Sequence, residues 1–200
     1  MGIRNSLIIL SAATLLCSCA HTNLSLNQND FKPFKEYQSK TEFPAGSDVL
    51  DLKVIDGRES KQYLGMGKTG ASYTDTPLST HQGASTFISN YFTENLKARG
   101  LSLTGDSSVE LEIIVNKLWV DELIEKYKGE RAQCSIEFQV YGKKELETFK
   151  GSYWTKITSG GDLTDGTDLL SPTLASCLNE AIEKIVNDQK LIEFINTKAE

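Results

Sequence analysis

Hydrophobic and polar residues alternate along three long stretches in the second half of the chain. The first stretch covers 109–115, and its alternation shifts by one position near Asn116. The alternation returns over 132–141 and again over 149–157. Because successive side chains of a strand point to opposite faces, each stretch predicts a β-strand with one apolar face, and the shift at Asn116 predicts a β-bulge.

A turn signal lies between the second and third of these strands. Residues Gly142–Lys144 interrupt the alternation, so they predict a turn that folds the two strands into an antiparallel hairpin. An earlier strand is predicted over 49–56, where apolar residues share one face. The segment 58–77 has scattered glycines and no regular period, so it predicts a loop or an irregular strand.

Other segments repeat apolar residues at the spacing of an α-helix. The first predicted helix begins at Ser79 or Thr80 and ends at Arg99. The second covers about 169–188, and a short helix over 191–196 follows it. Each long helix has a single apolar face, which indicates that both helices lie against a sheet.

This order of elements predicts an α+β fold. We expect a two-layer sandwich, in which a mostly antiparallel sheet carries two long helices packed on one face. The opposite face of the sheet would then carry these residues: Glu110, Glu112, Glu137, Gln139, Trp154 and Lys156. An exposed tryptophan on a polar sheet face is a candidate anchor for a binding partner, because it offers a large contact area. Alternatively, Trp154 is covered by the N-terminal segment or by an edge loop.

The N-terminal residues have the pattern of an export signal. An apolar run over 7–16 follows Arg4, and it is too short to cross the roughly 30 Å hydrocarbon core of a membrane. The run ends at Leu16, Cys17, Ser18 and Cys19, which form a lipoprotein cleavage box. Ser18 is the small residue that this box requires before its cysteine, so Cys19 is the predicted lipidation site.

Lipidation at Cys19 would anchor the chain to a membrane. Fatty acyl chains such as palmitate contribute about 0.8 kcal/mol per buried methylene, so several chains on one cysteine make the attachment effectively permanent. The residue after the cysteine is Ala20 and not aspartate. By resemblance to the sorting pattern of enteric-type bacteria, this favours the periplasmic face of the outer membrane. The alternative is an ordinary secretory signal with a chance cysteine.

Three regions follow from these patterns. Residues 1–18 form the signal peptide, residues 19–47 the lipidated N-terminus and a flexible polar tether, and residues 48–200 a single α+β periplasmic domain.

The charge balance narrows the class of partner. The chain has 21 Lys and Arg and 27 Asp and Glu residues, and removal of the signal peptide takes away only Arg4. The mature chain therefore carries 20 basic and 27 acidic residues, a net charge of about −7. An acidic chain without a run of basic residues argues against nucleic acid and against anionic lipid headgroups as its main partner.

Two cysteines remain in the predicted domain. Cys134 and Cys177 both lie on apolar faces, so they could form one disulfide in the oxidising periplasm. Two separate buried thiols would fit the same positions.

Several motifs together resemble those of the YajG-type family of uncharacterised bacterial outer-membrane lipoproteins. They are the cleavage box, the first strand entering Asp56-Gly57-Arg58, a helix ending at 97–101, the strand over 109–115 and the tail 192–195. The resemblance implies a location and a fold, and it carries no catalytic motif. The long segment before Val49 and the two domain cysteines depart from the family pattern.

The residue types favour neither catalysis nor a metal or cofactor. His21 lies in the predicted tether and His81 at the start of a helix, so the mature chain offers no histidine cluster for zinc or for activating a nucleophile. The segment 65–69 lacks the first glycine of a phosphate-binding loop. In the Gly- and Asp-rich loop 159–168, Asp162, Asp165 and Asp168 lack the ligand spacing of a calcium site. The carboxylates of 121–125 suit a solvated loop.

Two functional hypotheses remain. The first is a non-enzymatic binding or scaffolding module that docks an envelope protein or the cell wall through the open sheet face, with Trp154 as an anchor. The second is an auxiliary lipoprotein subunit of an ABC-type lipid transport system, with an apolar groove between the helices and the sheet.

Overall fold

The computed structural model describes residues 24–26, 41–69, 73–125, 129–161 and 169–197. These residues form a mixed α+β fold, which confirms the predicted class. The strands are β1 (Leu24–Ser25), β2 (Asp48–Val49), β3 (Asp51–Asp56), β4 (Gly65–Thr69), β5 (Thr74–Ser79), β6 (Ser102–Leu103), β7 (Val109–Glu125), β8 (Gly129–Lys144) and β9 (Glu147–Gly161). The helices are α1 (Ala84–Ala98), α2 (Leu170–Val186) and α3 (Gln189–Asn196).

Seven of the described strands form one mixed sheet. Its order is β1-β5-β4-β7-β8-β9, and β3 pairs with the same side of β7 as β4 does. The β4–β5, β7–β8 and β8–β9 pairs are antiparallel, whereas β1–β5, β3–β7 and β4–β7 are parallel. Most of the paired residues in the sheet are antiparallel, as expected, but the sheet is mixed because both β3 and β4 run parallel to the long central strand β7.

The predicted hairpin is present, and its turn lies later in the chain than expected. Strands β8 and β9 pair continuously up to Lys144 and Glu147, and Glu145 turns the chain with a left-handed φ of 48°. Gly142 stays inside β8, where a Cβ atom would come within 2.5 Å of the Phe194 ring. A glycine at position 142 therefore allows close packing against Phe194. The prediction of a turn at Gly142–Lys144 was wrong.

The predicted bulge is confirmed. The β7–β8 register shifts between Val115 and Lys117, so Asn116 is an extra residue in β7. The shift keeps Leu118 and Val120 buried on the same side as Val115. Strand β7 can therefore remain one continuous element while its sequence alternation changes phase.

The segment before α1 contains two strands where a loop or irregular strand was expected. Strand β4 lies between β5 and β7, and Gly65 is required there because a Cβ atom would collide with the Val120 carbonyl oxygen. Strand β5 extends to Ser79, so α1 begins at Ala84 and not at Ser79 or Thr80. The turn into the helix is made at Gly83, whose φ is 82°.

Helices α1 and α2 both contact the apolar side of β8. The rings of Phe92 in α1 and Phe138 in β8 lie 5.8 Å apart, and Cys177 in α2 meets Cys134 in β8. Cys134 and Phe138 are four residues apart in one strand, so they point to the same face. The buried core lies between this face and the two helices.

Two parts of the predicted tether belong to the folded domain. Strand β1 pairs with β5, and Leu26 directly after it is 6% exposed. Phe43 is 5% exposed, and its backbone N–H donates to the Arg99 carbonyl oxygen at 2.8 Å. These two parts of segment 19–47, which was expected to be a flexible tether with an extended portion near its end, therefore pack against the domain.

Candidate protein-interaction site

The side of the sheet opposite the helices is polar and accessible among the described residues. Each residue predicted for this face is exposed or half-buried, namely Glu110, Glu112, Glu137, Gln139, Trp154 and Lys156. We call this side the outer face. Trp154 is 69% exposed, so the described parts of the N-terminal segment and the loops do not cover it.

Trp154 projects outward because its two neighbours in β9 are fixed inward. Tyr153 stacks on the Phe138 ring at 5.0 Å, and its hydroxyl donates to Asp188 Oδ2 at 2.6 Å. Burial, together with this carboxylate, raises the pKa of Tyr153, so the hydroxyl stays protonated as a donor. Thr155, the other neighbour of Trp154 in the strand, is buried. The strand therefore holds the Trp154 side chain on the outer face.

Polar side chains surround Trp154. Glu137 is its partner across β8, and Lys117 is the partner of Glu137 across β7, with 3.5 Å between Lys117 Nζ and Glu137 Oε1. Asn116, Gln139 and Ser152 complete an open depression of about 420 Å³ beside the indole. A rigid aromatic side chain bordered by polar groups is typical of the central part of a protein-binding surface.

A second tryptophan lies on the same face and was not singled out from the sequence. Trp119 is half-buried, and its Nε1 donates to Asp121 Oδ1 at 2.5 Å. Burial raises the pKa of Asp121, although the Trp119 hydrogen bond acts in the opposite direction. Trp119 lies between the inward residues Leu118 and Val120, and this alternation is the sequence signal that could have placed it on the outer face. Trp119 and Trp154 thus flank β8 on the outer face.

A buried ion pair fixes the end of β3 near the bulge. Arg58 Nε donates to Asp56 Oδ1 at 2.8 Å, and the two side chains are 4% and 3% exposed. Arg58 also donates to the carbonyl oxygens of Tyr63 and Leu118, while Ser85 Oγ in α1 donates to Asp56 Oδ2 at 2.7 Å. Burial alone would raise the pKa of Asp56, but the hydrogen bonds and charge of Arg58 and the Ser85 bond lower it. The sequence showed these residues only as part of a family pattern.

Cys134 and Cys177 are joined by a disulfide. Their Cα atoms are 6.1 Å apart, and both residues are fully buried. The bond connects α2 to β8 at the centre of the core. Its position inside the packed interior gives it a structural role, because a buried disulfide is not accessible to a partner thiol.

A small cavity lies between α1 and β1. It measures about 270 Å³, and Leu26, Phe87 and Tyr91 form its apolar part. Its polar lining consists of Ser25, Thr80, His81, Gln82, Asn90 and Glu94. Ligand sites for drug-sized molecules span about 300–1,000 Å³ and are mostly apolar. This cavity therefore does not resemble a groove for lipid acyl chains.

Several predicted sites lie outside the described residues. They are the cleavage box Leu16, Cys17 and Ser18, the lipidation site Cys19, and the acidic loop 162–168. In the part of the chain that the structure describes, no group of three or more His, Cys, Asp or Glu side chains could hold a metal ion. Among the same residues, no helix is long and apolar enough to span a membrane. The segment 65–69, which resembles part of a phosphate loop, is strand β4.

A family model described as "Uncharacterized lipoprotein" matches residues 39–196. No curated protein sequence matches the chain. Among solved structures, the fold is similar to that of protein XCC0632 from Xanthomonas campestris, of family DUF330, with a TM-score of 0.52, 9% identity, and coverage of 86% of this chain and 94% of that one. A minor lipoprotein from Acinetobacter baumannii gives a TM-score of 0.42 and 10% identity, with coverage of 78% and 99%. At 9% identity, the first likeness concerns the fold alone.

Proposed function

The chain belongs to this family of uncharacterised lipoproteins, and from that premise we propose that it is a membrane-anchored binding module of the bacterial cell envelope. It holds a protein partner through the outer face of its sheet and catalyses no reaction. The exposed indole of Trp154 is the single observation that carries this proposal.

The proposed anchor is a set of acyl chains on Cys19, attached after cleavage behind Ser18. The family description supports a lipoprotein, and the cleavage box supplies the cysteine. Ala20 after the cysteine favours the periplasmic face of the outer membrane. The resemblance to YajG-type lipoproteins belongs to the same proposal, since those proteins occupy that membrane.

The proposed architecture is a two-layer sandwich with one open face. Phe92 of α1 and Cys177 of α2 both meet the inner side of β8, which supports a helix layer on that side. The outer face then remains available for binding. Single exposed apolar residues are common on protein surfaces, whereas several apolar side chains on one face mark a binding surface, and Trp119 lies on the same face as Trp154.

The side chains exposed on the outer face favour a protein as the partner. A half-buried Trp119, an exposed Trp154 and the Lys117–Glu137 ion pair combine large apolar contacts with charges of both signs. Aromatic residues are enriched at the centres of protein interfaces, where they contribute most of the binding energy. The alternative of a lipid-transport subunit is less favoured, because the cavity beside α1 is small and six of its nine lining residues are polar.

Affinity purification of the full lipidated chain tests this proposal. The wild type and Trp154→Ala are recovered from detergent-solubilised envelopes of a bacterium that encodes the chain. We expect the variant to lose the partner that the wild type retains, because removing a central tryptophan costs about 2 kcal/mol or more, or about thirtyfold in affinity. The fold should be unaffected, since exposed substitutions usually change stability by less than about 0.5 kcal/mol.

Leu146→Ala is the matched control. Leu146 is an apolar side chain that is 100% exposed in the turn between β8 and β9, away from Trp154 along the strand. The proposal predicts that this control retains the same partner as the wild type. Equal recovery of every protein by the wild type and Trp154→Ala would overturn it.

A further inference from the structure

Strand β9 is the last strand of the large sheet. It contains 15 residues, it pairs with β8 on one side, and no described strand lies on its other side. A long edge strand presents a row of backbone groups to which another strand can bind. Trp154 lies near the middle of this edge.

The direction of the backbone groups follows from the neighbouring strands. The carbonyl oxygens of Val109 and Val115 accept from Leu50 and Gly57, so these two residues of β7 face away from β8. In an antiparallel ladder, residues alternate between facing one neighbour and facing the other. The registers extend this alternation from β7 to β8 and from β8 to β9. Alternate residues of β9 therefore direct their backbone groups to the free edge, and these are Thr148, Lys150, Ser152, Trp154, Lys156 and Thr158. The same residues carry their side chains on the outer face.

Strand β9 lacks most of the features that prevent edge pairing. It contains no proline, and its pairing with β8 shows no register shift, whereas β7 is interrupted by a bulge. Natural proteins often protect edge strands with prolines, bulges or charges. Here the charges are two exposed lysines, Lys150 and Lys156, on either side of Trp154.

These lysines indicate the chemistry of the occupant. If two β9 strands paired antiparallel, the outer-face residues of one copy would lie next to the outer-face residues of the other. The charged residues within 148–158 are lysines in both copies, so like charges would meet. A second copy of the chain therefore gains no ion pair there. An extended segment with acidic residues at alternate positions would meet both lysines and could also contact the indole.

We propose that β9 binds an acidic, extended segment of a partner protein by strand addition, with Trp154 packing against one of its side chains. The inference rests on the proposed function, because it specifies how the same face holds its partner. Backbone hydrogen bonds would supply much of the affinity, and the lysines and Trp154 would supply the selectivity.

Two designed peptides test the charge preference. One alternates glutamate and valine over eight residues, and the other has lysine in place of glutamate. We expect the full chain to bind the acidic peptide about tenfold more tightly than the basic one. The preference should reverse in Lys150→Glu/Lys156→Glu, because the edge then carries the opposite charge. It should weaken at high salt in the wild type, because ion pairs at an exposed edge are screened. Equal binding of the two peptides, or no binding of the acidic one, overturns the proposal.

A proline substitution tests the backbone contact. Ser152→Pro removes an N–H that faces the free edge and leaves the β8 ladder intact, while Ser152→Ala is the matched control. We expect Ser152→Pro to bind the acidic peptide at least tenfold more weakly than Ser152→Ala does. Thermal unfolding checks that both variants fold. If Ser152→Pro does not, Thr158→Pro replaces it, with Thr158→Ala as its control, because Thr158 is uncharged, faces the same free edge and lies nearer the end of the strand. Unchanged binding by a folded proline variant overturns strand addition.

The two proposals fail in different ways. If Trp154→Ala loses the envelope partner but the folded proline variant retains it, the outer face binds and strand addition is wrong. If Trp154→Ala retains the partner, the proposed function itself fails. Light scattering tests self-pairing, because a dimer that Ser152→Pro converts to a monomer would assign the edge to a second copy and overturn the acidic partner.

Discussion

At the scale of single residues, the most informative positions are those where the burial of a side chain is unusual for its type, such as an exposed tryptophan or a buried ion pair. Trp154 was predicted on the outer face from strict alternation in β9, and it is exposed there. Alternation works at this position because Tyr153 and Thr155 are held inward by the core. The role of Trp154 in binding a partner stays a proposal.

The buried Asp56–Arg58 pair could not be predicted in this way. The two residues are separated by one position, and nothing in their local pattern distinguishes a buried pair from a charged turn. Their burial depends on Leu118 and Ser85, which lie far away in the sequence and contact them only in the folded chain. Tertiary contacts of this kind carry no periodic signal.

Substitution of Asp56 by asparagine should destabilise the fold in a pH-dependent manner. Removing one partner of a buried ion pair costs about 3–5 kcal/mol, because Arg58 would remain buried without its counter-charge. The folded-state pKa of Asp56 is lowered, so its stabilising effect is present above the unfolded pKa of about 3.9 and is lost as the pH falls through the folded value.

Urea unfolding at pH 7 and at pH 3 measures this effect. We expect the difference between the wild type and Asp56→Asn to be large at pH 7 and smaller at pH 3. Asp51→Asn is the control, because Asp51 is an exposed carboxylate in the same strand. A difference that stays constant over this pH range would show that the charge of Asp56 does not stabilise the fold.

At the scale of elements, long regular patterns predicted more than short ones. The strands over 109–115, 132–141 and 149–157 were correctly placed, together with the bulge at Asn116. Strand β4 was left open between a loop and an irregular strand, because Gly65 and Gly67 have no side chains to alternate, although both positions are buried by close packing. Strand β5 contains Pro77, a residue that is unusual inside a strand. The start of α1 was placed too early for a different reason, since Ser79 and Thr80 resemble helix caps but Ser79 is the last residue of β5.

The link between α2 and β8 gives a prediction at this scale. The Cys134–Cys177 disulfide joins residues 43 positions apart, and closing a loop of that size stabilises the folded state by about 4 kcal/mol in the chain-entropy model. We expect Cys134→Ala/Cys177→Ala to lose stability of this order. A reducing agent should destabilise the wild type and leave the double variant unchanged.

Mass spectrometry of the alkylated, non-reduced protein checks the bond itself. The mature wild-type chain should take up no alkylating agent at either cysteine until it is unfolded and reduced. Alkylation of both thiols in the unfolded, non-reduced protein would mean that the two cysteines are separate, which is the alternative that their sequence positions also allowed.

At the scale of the whole molecule, the α+β class followed from the order of the elements, and the strand connections did not. The parallel pairing of β3 and β4 with β7 depends on contacts between distant segments, and neither strand pattern specifies its neighbour. The inclusion of Leu26 and Phe43 in the core was also not predicted, because one or two apolar residues in a polar segment are too few to define a period.

The outer face, the edge strand β9 and the proposed anchor act together in this account. Acyl chains on Cys19 would confine the domain near a membrane, where a partner in the same compartment could bind to β9 and Trp154. All proposals about an envelope partner depend on that attachment.

The intact mass and N-terminal sequence of the protein purified from its native membrane test this claim most directly. The account predicts a chain that begins at Cys19 and carries the added mass of its acyl groups, and it predicts that Cys19→Ser releases the protein from the membrane whereas Cys17→Ser does not. A native chain that begins at another residue, or that begins at Cys19 without acyl groups, would contradict it.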